Sequence, residues 1–297
     1  MKNNLILIGT GFLGSYLIQE LKSRNFQLIN TYFSKNQNKG EYLDIRNLQE
    51  IRNFFAKHEP DIIINTAGRT DIDYLEKNPN EAISVNTTGP KNIATITEEM
   101  GIKLVHVSTD SIFDGVKGNY NENDKPNPVN IYAKSKLDAE LSIKQITKKY
   151  VIIRTNFYGM NQNSKHLFNS VFDKLKNGEE FVGFNDIIFS PLEIKNLSQL
   201  ICDVVDSNYS GILHLASNEK LSKYEFCTEI AKTFGFDKSL IINDSIKKMK
   251  FVAKRPNNTS LDNSKSKSII RHNIISFNDW LLTLNTKGMH KEIKLFD

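Results

Sequence analysis

Residues 5–14 read LILIGTGFLG, and the reading of the whole chain starts from them. An apolar, strand-like run ends in glycines at Gly9, Gly11 and Gly14, and a helical pattern opens at Phe12 and Leu13. Each glycine has its own reason to be there. Gly9 permits a tight turn, Gly11 lets a pyrophosphate approach the backbone, and Gly14 lets the helix lie close to the strand. The first helical turn, at Phe12 and Leu13, offers free amides and the positive end of the helix dipole to phosphate oxygens. A glycine trio alone is a weak signal. After a strand and at the start of a helix, it marks a dinucleotide-binding turn.

Outward from that turn, further short apolar runs occupy residues 26–31, 61–68, 103–110, 151–155 and 211–217. Longer helix-like stretches lie between them, notably 12–24, 79–100 and 131–149. Continuous apolar strands alternating with helices predict an α/β fold, a doubly wound parallel Rossmann sheet covered on both faces. After Thr155 the pattern loosens, which predicts a smaller lobe built over the core. The expected division is a dinucleotide-binding domain over 1–156, with 186–216 returning to it, and a substrate-binding lobe from 157–185 and 217–297.

The second strand is followed by Asn30, Thr31, Tyr32, Phe33, Ser34 and Lys35. An acidic residue that would bond the ribose hydroxyls of NAD is missing there. Ser34 and Lys35 instead suit a 2′-phosphate, which predicts NADPH as cofactor, with NADH also usable. A solvated polar loop is the bland alternative.

Tyr132 and Lys136 stand four residues apart in the helical segment IYAKSKLDAE and share one face. A phenol has a pKa of about 10, so it needs a neighbouring cation to become an acid–base catalyst near neutrality. Lys136 is the candidate cation. It can also reach the nicotinamide ribose. The fourth strand ends in Ser108, Thr109 and Asp110 at the carboxyl edge of the sheet, where open α/β folds bind ligands. Thr109 is the expected donor to a developing oxyanion, and the capping of the turn is assigned to Ser108 and Asp110.

Residues 107–140, VSTDSIFDGVKGNYNENDKPNPVNIYAKSKLDAE, resemble the extended short-chain dehydrogenases. Within them they are similar to the dTDP-4-dehydrorhamnose reductases, whose stretch runs STDYVFDG, glycine, tyrosine, acidic residues, NP and YxxSKLxxE. Asn65 to Gly68 and 70–76 resemble NAAAYTAVDxAE, Val85 and Asn86 its VN, and Arg154 with Thr155 its RTS. GILHLAS with KYEF resembles GIYHxAG with WYEF, and RPNNTSLD at 255–262 resembles RPxxSxLD.

The resemblance implies a reductase of a nucleotide-linked keto sugar, with Tyr132 as proton donor, Lys136 as its partner and Thr109 polarising the keto oxygen. It implies cofactor contacts at Thr66, Ala67, Gly68 and Val107, and an adenine-side loop at Asp44 and Ile45. Substrate contacts would come from Thr109, Asp110, Ser111 and Phe157. Arg255 is a candidate for the diphosphate, since a guanidinium fork matches phosphate geometry, and equally a surface cation. Departures fall on the substrate side. Ser111 replaces a Tyr, Phe157 replaces a Trp, and residues 186–192 lack the Gln, Gly and Thr of the family stretch. Ile8 stands where many relatives begin a GxxGxxG, with Gly9 substituting through a shifted turn.

Other classes are weighed on bulk properties. The 297 residues carry a net charge of +5, and lysines between 247 and 267 alternate with Asn and Ser, which reads as a solvated face and not a nucleic-acid surface. The early apolar run is too short for a membrane span or signal peptide, so a cytoplasmic protein is expected. Cys202 and Cys227 have no pairing or ligand spacing, and His106 and His214 read as packed or surface groups. No metal is expected, and a homodimer is compatible with the sequence. Two readings remain beside the reductase. One is a nucleotide-sugar epimerase or dehydratase that recycles its NAD. The other is a non-catalytic binding subunit, since the regulatory beta subunit of methionine adenosyltransferase resembles this family too.

Overall fold

The computed structural model describes residues 3–33, 40–160 and 166–286; Ser34 and Lys35, the expected 2′-phosphate contacts, lie outside the described residues. The strands are β1 (Asn3–Ile8), β2 (Phe26–Tyr32), β3 (Glu41–Tyr42), β4 (Ile62–Asn65), β5 (Lys103–Val107), β6 (Tyr150–Arg154), β7 (Phe157–Tyr158), β8 (Phe181–Phe184), β9 (Ile188–Phe189), β10 (Leu192–Glu193), β11 (Gly211–His214), β12 (Leu221–Ser222) and β13 (Ile241–Asp244). The α-helices are α1 (Phe12–Lys22), α2 (Leu48–His58), α3 (Ile72–Lys77), α4 (Pro79–Ala82), α5 (Gly89–Met100), α6 (Ile131–Ile146), α7 (Leu167–Lys176), α8 (Ile194–Asp206), α9 (Lys223–Phe234) and α10 (Phe277–Thr286).

Seven strands form one parallel sheet in the order β11-β6-β5-β4-β1-β2-β3. Its central strands β1, β4, β5 and β6 are largely apolar because both faces are covered. Leu5, Leu7, Ile62, Ile64, Val105, Val151 and Ile153 pack on one side with the apolar stripes of α1 and α8. Ile6, Ile8, Ile63, Leu104 and Ile152 pack on the other with residues of α2, α5 and α6. Burying each such side chain is worth roughly 1.5–3 kcal/mol, so the two faces hold the sheet together.

All six strand segments read from the sequence lie in this sheet. The seventh, β3, is two residues long and carries no periodic signal. The stretch 79–100, read as one helix, is divided: α4 gives way to a π-helical turn, Ile83–Thr88, before α5 begins at Gly89 and Pro90. The interruption brings Asn86 toward β4. Beyond Thr155, short pairs replace long strands, β7 with β10 and β8 with β13 in parallel, β9 with β12 antiparallel. A separate aromatic core, with Tyr158, Phe168, Phe172, Phe226, Phe277 and Trp280, packs α7, α9 and α10 together.

Among the described residues no helix is long and apolar enough to cross a membrane, and no cluster of His, Cys, Asp or Glu is placed to hold a metal ion. Cys202 and Cys227 are buried free thiols.

Candidate active site and dinucleotide turn

The strand order reverses between β1 and β4, and the glycine turn sits there. Gly9 has φ +95°, and a Cβ on it would lie 2.7 Å from the Ala67 amide nitrogen. A Cβ on Gly14 would lie 2.0 Å from the Gly9 carbonyl oxygen. Gly11 differs: a Cβ there would meet nothing within 4 Å. Gly11 also caps α1 without any side-chain acceptor, which leaves the first amides of the helix, at Phe12 and Leu13, to a ligand. These features fit a dinucleotide pyrophosphate. Ile8 is buried in the core, so the turn starts one residue later than in relatives that carry glycine there, and Gly9 supplies the left-handed conformation.

The end of β4 is tied to this turn. The Thr66 hydroxyl donates to the Gly9 carbonyl at 2.7 Å, and the Ala67 amide donates to Asn65 Oδ1 at 3.1 Å. Asn86, from the π-helical turn, accepts from the Arg69 amide at 2.8 Å and donates to the Arg69 carbonyl at 3.0 Å and to Ser135 Oγ at 3.2 Å. A Cβ on Gly68 would come within 3.2 Å of the same Asn86 oxygen. Asn86 thus braces the cofactor-side loop against α6, a role the sequence reading did not give it.

At the far end of the turn, Asp44 is chelated by Arg46, with Nε at 2.8 Å and Nη2 at 2.6 Å, and this guanidinium holds its carboxyl below the usual range. Arg46 lies 4.6 Å over the ring of Phe33, which is half exposed. Ile45 is buried beneath Gly89. Arg46 was not singled out from the sequence, although it directly follows two residues that were.

Helix α6 carries Tyr132 and Lys136 one turn apart. Its N-cap, Asn130, accepts from the Ala133 amide at 2.8 Å and donates to the Lys254 carbonyl at 2.9 Å. Lys136 is buried, donates to the Val107 carbonyl at 2.8 Å and lies 3.4 Å from His106 Nε2. Burial lowers it to about 8, opposed by the Glu140 carboxylate. His106 is itself pushed well below its ordinary value by burial and by Lys136, and stays neutral. Burial pushes the Tyr132 phenol up to about 12, while a hydrogen bond with the Thr109 side chain works the other way and Asp110 raises it further. Lys136, expected to acidify this phenol, is engaged with Val107 and is not among the groups acting on it.

Thr109 also accepts from the Ser111 amide at 3.1 Å, so it is Thr109, and not Ser108 or Asp110, that caps the 3-10 turn Asp110–Ile112. Ser108 donates to Glu140 at 2.5 Å instead. Asp110 is fully buried and accepts from Thr109 and Ser111 on one oxygen, at 3.2 and 3.3 Å, and from Asn156 and Thr259 on the other, at 2.9 and 2.7 Å. Behind these residues, buried Arg154 grips Glu140 through Nη2 at 2.7 Å, joining β6 to α6.

The expected substrate residues are dispersed. Ser111 stays with Asp110. Phe157 packs toward Phe12, ring centroids 6.3 Å apart, and Phe12 stacks on His166 at 4.3 Å. Arg255 pairs with Asp73 at 3.0 Å and donates to the Ala253 carbonyl at 3.1 Å, so it is a bound cation at α3 and not a free surface one. Buried Thr155 Oγ1, just past the end of β6, and buried Tyr158 Oη have no hydrogen-bond partner.

A doubly wound sheet whose glycine turn lies beside a helix bearing Tyr and Lys one turn apart is the architecture of the extended short-chain dehydrogenases/reductases, and this chain is of that class. Residues 2–286 match the family model of the RmlD substrate binding domain, and the chain belongs to that family. It is 29% identical over 260 residues to a protein of Haloferax volcanii described as a probable low-salt glycan biosynthesis reductase, Agl14, covering 85% of this chain and 87% of that one. It is 26% identical over 285 residues to methionine adenosyltransferase 2 subunit beta of Rattus norvegicus, covering 89% and 81%. The crystal structure of dTDP-4-dehydrorhamnose reductase from Bacillus anthracis in complex with NADP superposes with a TM-score of 0.87 at 27% identity, covering 97% of this chain and 100% of that one.

Proposed function

We propose that the protein uses NADPH to reduce the C4 keto group of a nucleotide-diphospho-deoxysugar, as a dTDP-4-dehydrorhamnose reductase does. The observation that carries this reading is the buried Tyr132, on whose phenol the Thr109 side chain just beyond β5 acts, with Lys136 one turn along α6. Bound nicotinamide supplies a hydride to the carbonyl carbon. The Thr109 hydroxyl donates to the oxygen that gains charge, and Tyr132, protonated at neutral pH, gives that oxygen its proton. Lys136, held by the Val107 carbonyl, serves the nicotinamide ribose instead of the phenol.

Gly9, Gly11, Phe12, Leu13 and Gly14 take the pyrophosphate, and Thr66, Ala67, Gly68 and Val107 line the cofactor. Asp44 and Ile45 flank the adenine, with Ser34 and Lys35 reading the 2′-phosphate. NADH serves less well for want of that phosphate. Asp110, Ser111 and Phe157 face the sugar nucleotide. In this reading 1–156 with 186–216 carries the dinucleotide, 157–185 and 217–297 carry the substrate, and the reaction runs in the cytoplasm. Arg255, already paired with Asp73, reaches a diphosphate only by sharing its guanidinium.

The second reading, a binding subunit, draws support from the similarity to methionine adenosyltransferase 2 subunit beta. One assay separates the two. Mixing the protein with NADPH and a dTDP-linked 4-keto-6-deoxy sugar should oxidise one NADPH per sugar reduced. An epimerase leaves the cofactor absorbance constant, and a binding subunit leaves both compounds unchanged.

A further inference from the structure

We infer that Asp73 is a positioning residue that holds Arg255 at the edge of the substrate cleft and competes with the substrate's diphosphate for that guanidinium. The inference rests on the proposed sugar-nucleotide substrate. Residues 253–259 run as a strap from α3 to the end of β5. At one end the Ala253 amide donates to Asp73 Oδ1 at 3.0 Å, and Arg255 Nη2 lies 3.0 Å from Asp73 Oδ2. Asn130, the N-cap of α6, donates to the Lys254 carbonyl at 2.9 Å. Further along, the Asn258 amide donates to the Gly115 carbonyl at 3.0 Å, and the Thr259 hydroxyl donates to Asp110 at 2.7 Å.

This route borders the reacting groups. Ile72 and Leu75, which flank Asp73 in α3, pack with Tyr132, and Glu76 of the same helix accepts from the Ile131 amide at 2.9 Å. Asp110, at the other end of the strap, directly follows Thr109. Arg255 is the guanidinium that the strap carries into this place. The glycine turn serves the cofactor pyrophosphate, so a second diphosphate in the cleft is the substrate's. The guanidinium is held in a fixed attitude: Nη1 donates to the Ala253 carbonyl at 3.1 Å, and the group lies 5.1 Å over the ring of Phe251, which meets Phe184 edge-on at 6.1 Å. The Asp73 and Ala253 contacts engage one terminal nitrogen each, and the planar fork has further N–H groups to offer phosphate oxygens. The side chains of Arg255 and Asp73 are 20% and 37% exposed, so water screens their attraction and a diphosphate can displace it. Each diphosphate that enters draws the guanidinium away from Asp73, and loss of that pair subtracts from its affinity.

The test is calorimetric titration of dTDP into the wild type, Asp73→Asn, Asp73→Glu, Arg255→Met and the Asp73→Asn/Arg255→Met double variant. Asparagine keeps an acceptor for the Ala253 amide, so the strap stays tied while the competing charge is gone. Asp73→Asn should tighten dTDP by about two- to fivefold. Asp73→Glu, which restores the carboxylate, should bring the affinity back toward that of the wild type. Arg255→Met should weaken dTDP by about tenfold, and in that background the Asp73 substitution should lose most of its effect. NADPH affinity should stay the same in Asp73→Asn. Unchanged dTDP affinity in Asp73→Asn, an equal gain with and without Arg255, a gain for NADPH in place of dTDP, or no dTDP binding to either the wild type or Asp73→Asn overturns the inference. If a dTDP-linked 4-keto-6-deoxy sugar is not reduced while dTDP binding follows this pattern, the proposed reduction fails and the role of Asp73 stands.

Discussion

Tyr132 shows how much one side chain owes to its surroundings. Helical spacing puts it on one face with Lys136, but burial against Thr109 and Asp110 sets its proton affinity, and residue spacing carries no information about burial. Tyr132→Phe removes only the proposed proton donor. Turnover should fall by about 10²–10⁴ while NADPH affinity, read by fluorescence titration, is retained; undiminished turnover would remove Tyr132 from the chemistry. Gly14 is legible for the opposite reason, since its requirement is backbone against backbone. With a Cβ 2.0 Å from the Gly9 carbonyl, Gly14→Ala forces α1 off the turn. It should cost about 1–3 kcal/mol in stability and weaken NADPH, measured by thermal melts and the same titration. Asn86 escaped notice because a lone asparagine carries no pattern, and only the packing of the π-helical turn over Arg69 gives it work.

At the level of elements, β11 is fastened to the loop ahead of α6 by His214. Its Nδ1 lies 3.1 Å from the Tyr120 carbonyl and its Nε2 3.5 Å from Arg154 Nη1, an arrangement that suits only the neutral ring. Burial and Arg154 lower it to about 3, from 6.5 in the unfolded chain. Below pH 6.5 the unfolded chain takes up a proton that the folded one refuses, so stability falls as pH drops toward 3. The loss is about 1.4 kcal/mol per pH unit. Urea midpoints of wild type and His214→Gln, compared near neutrality and about one pH unit below the unfolded pKa, should show a shallower slope in the variant; parallel slopes would mean that His214 is not the group responsible. The long elements were readable because β1, β4, β5 and β6 are apolar on both faces and α6 keeps its pattern for four turns. The division of 79–100 was not, since a π-helical turn leaves composition unchanged and depends on Asn86 finding Arg69.

For the molecule as a whole, a ligand that binds only the folded chain must stabilise it. NADPH at about one hundred times its Kd should add about 2.7 kcal/mol, seen as a rise in Tm. Lys35→Ala should shrink that rise for NADPH more than for NADH, and equal losses would show that Lys35 does not read the 2′-phosphate. The same scale separates what the chain announces from what folding creates. The glycine turn, the parallel sheet and the Tyr–Lys helix are encoded by neighbours in sequence, through local steric rules and period, and a linear reading recovers them. The environment of the reactive groups is assembled from residues far apart in the chain: Asp110 with Thr259, Asn130 with Lys254, and Arg255 with Asp73. Burial and Coulomb interaction depend on distance in space, so only the tertiary structure could decide which hydroxyl caps the turn, which cation is already paired, and which charge sits beside the phenol.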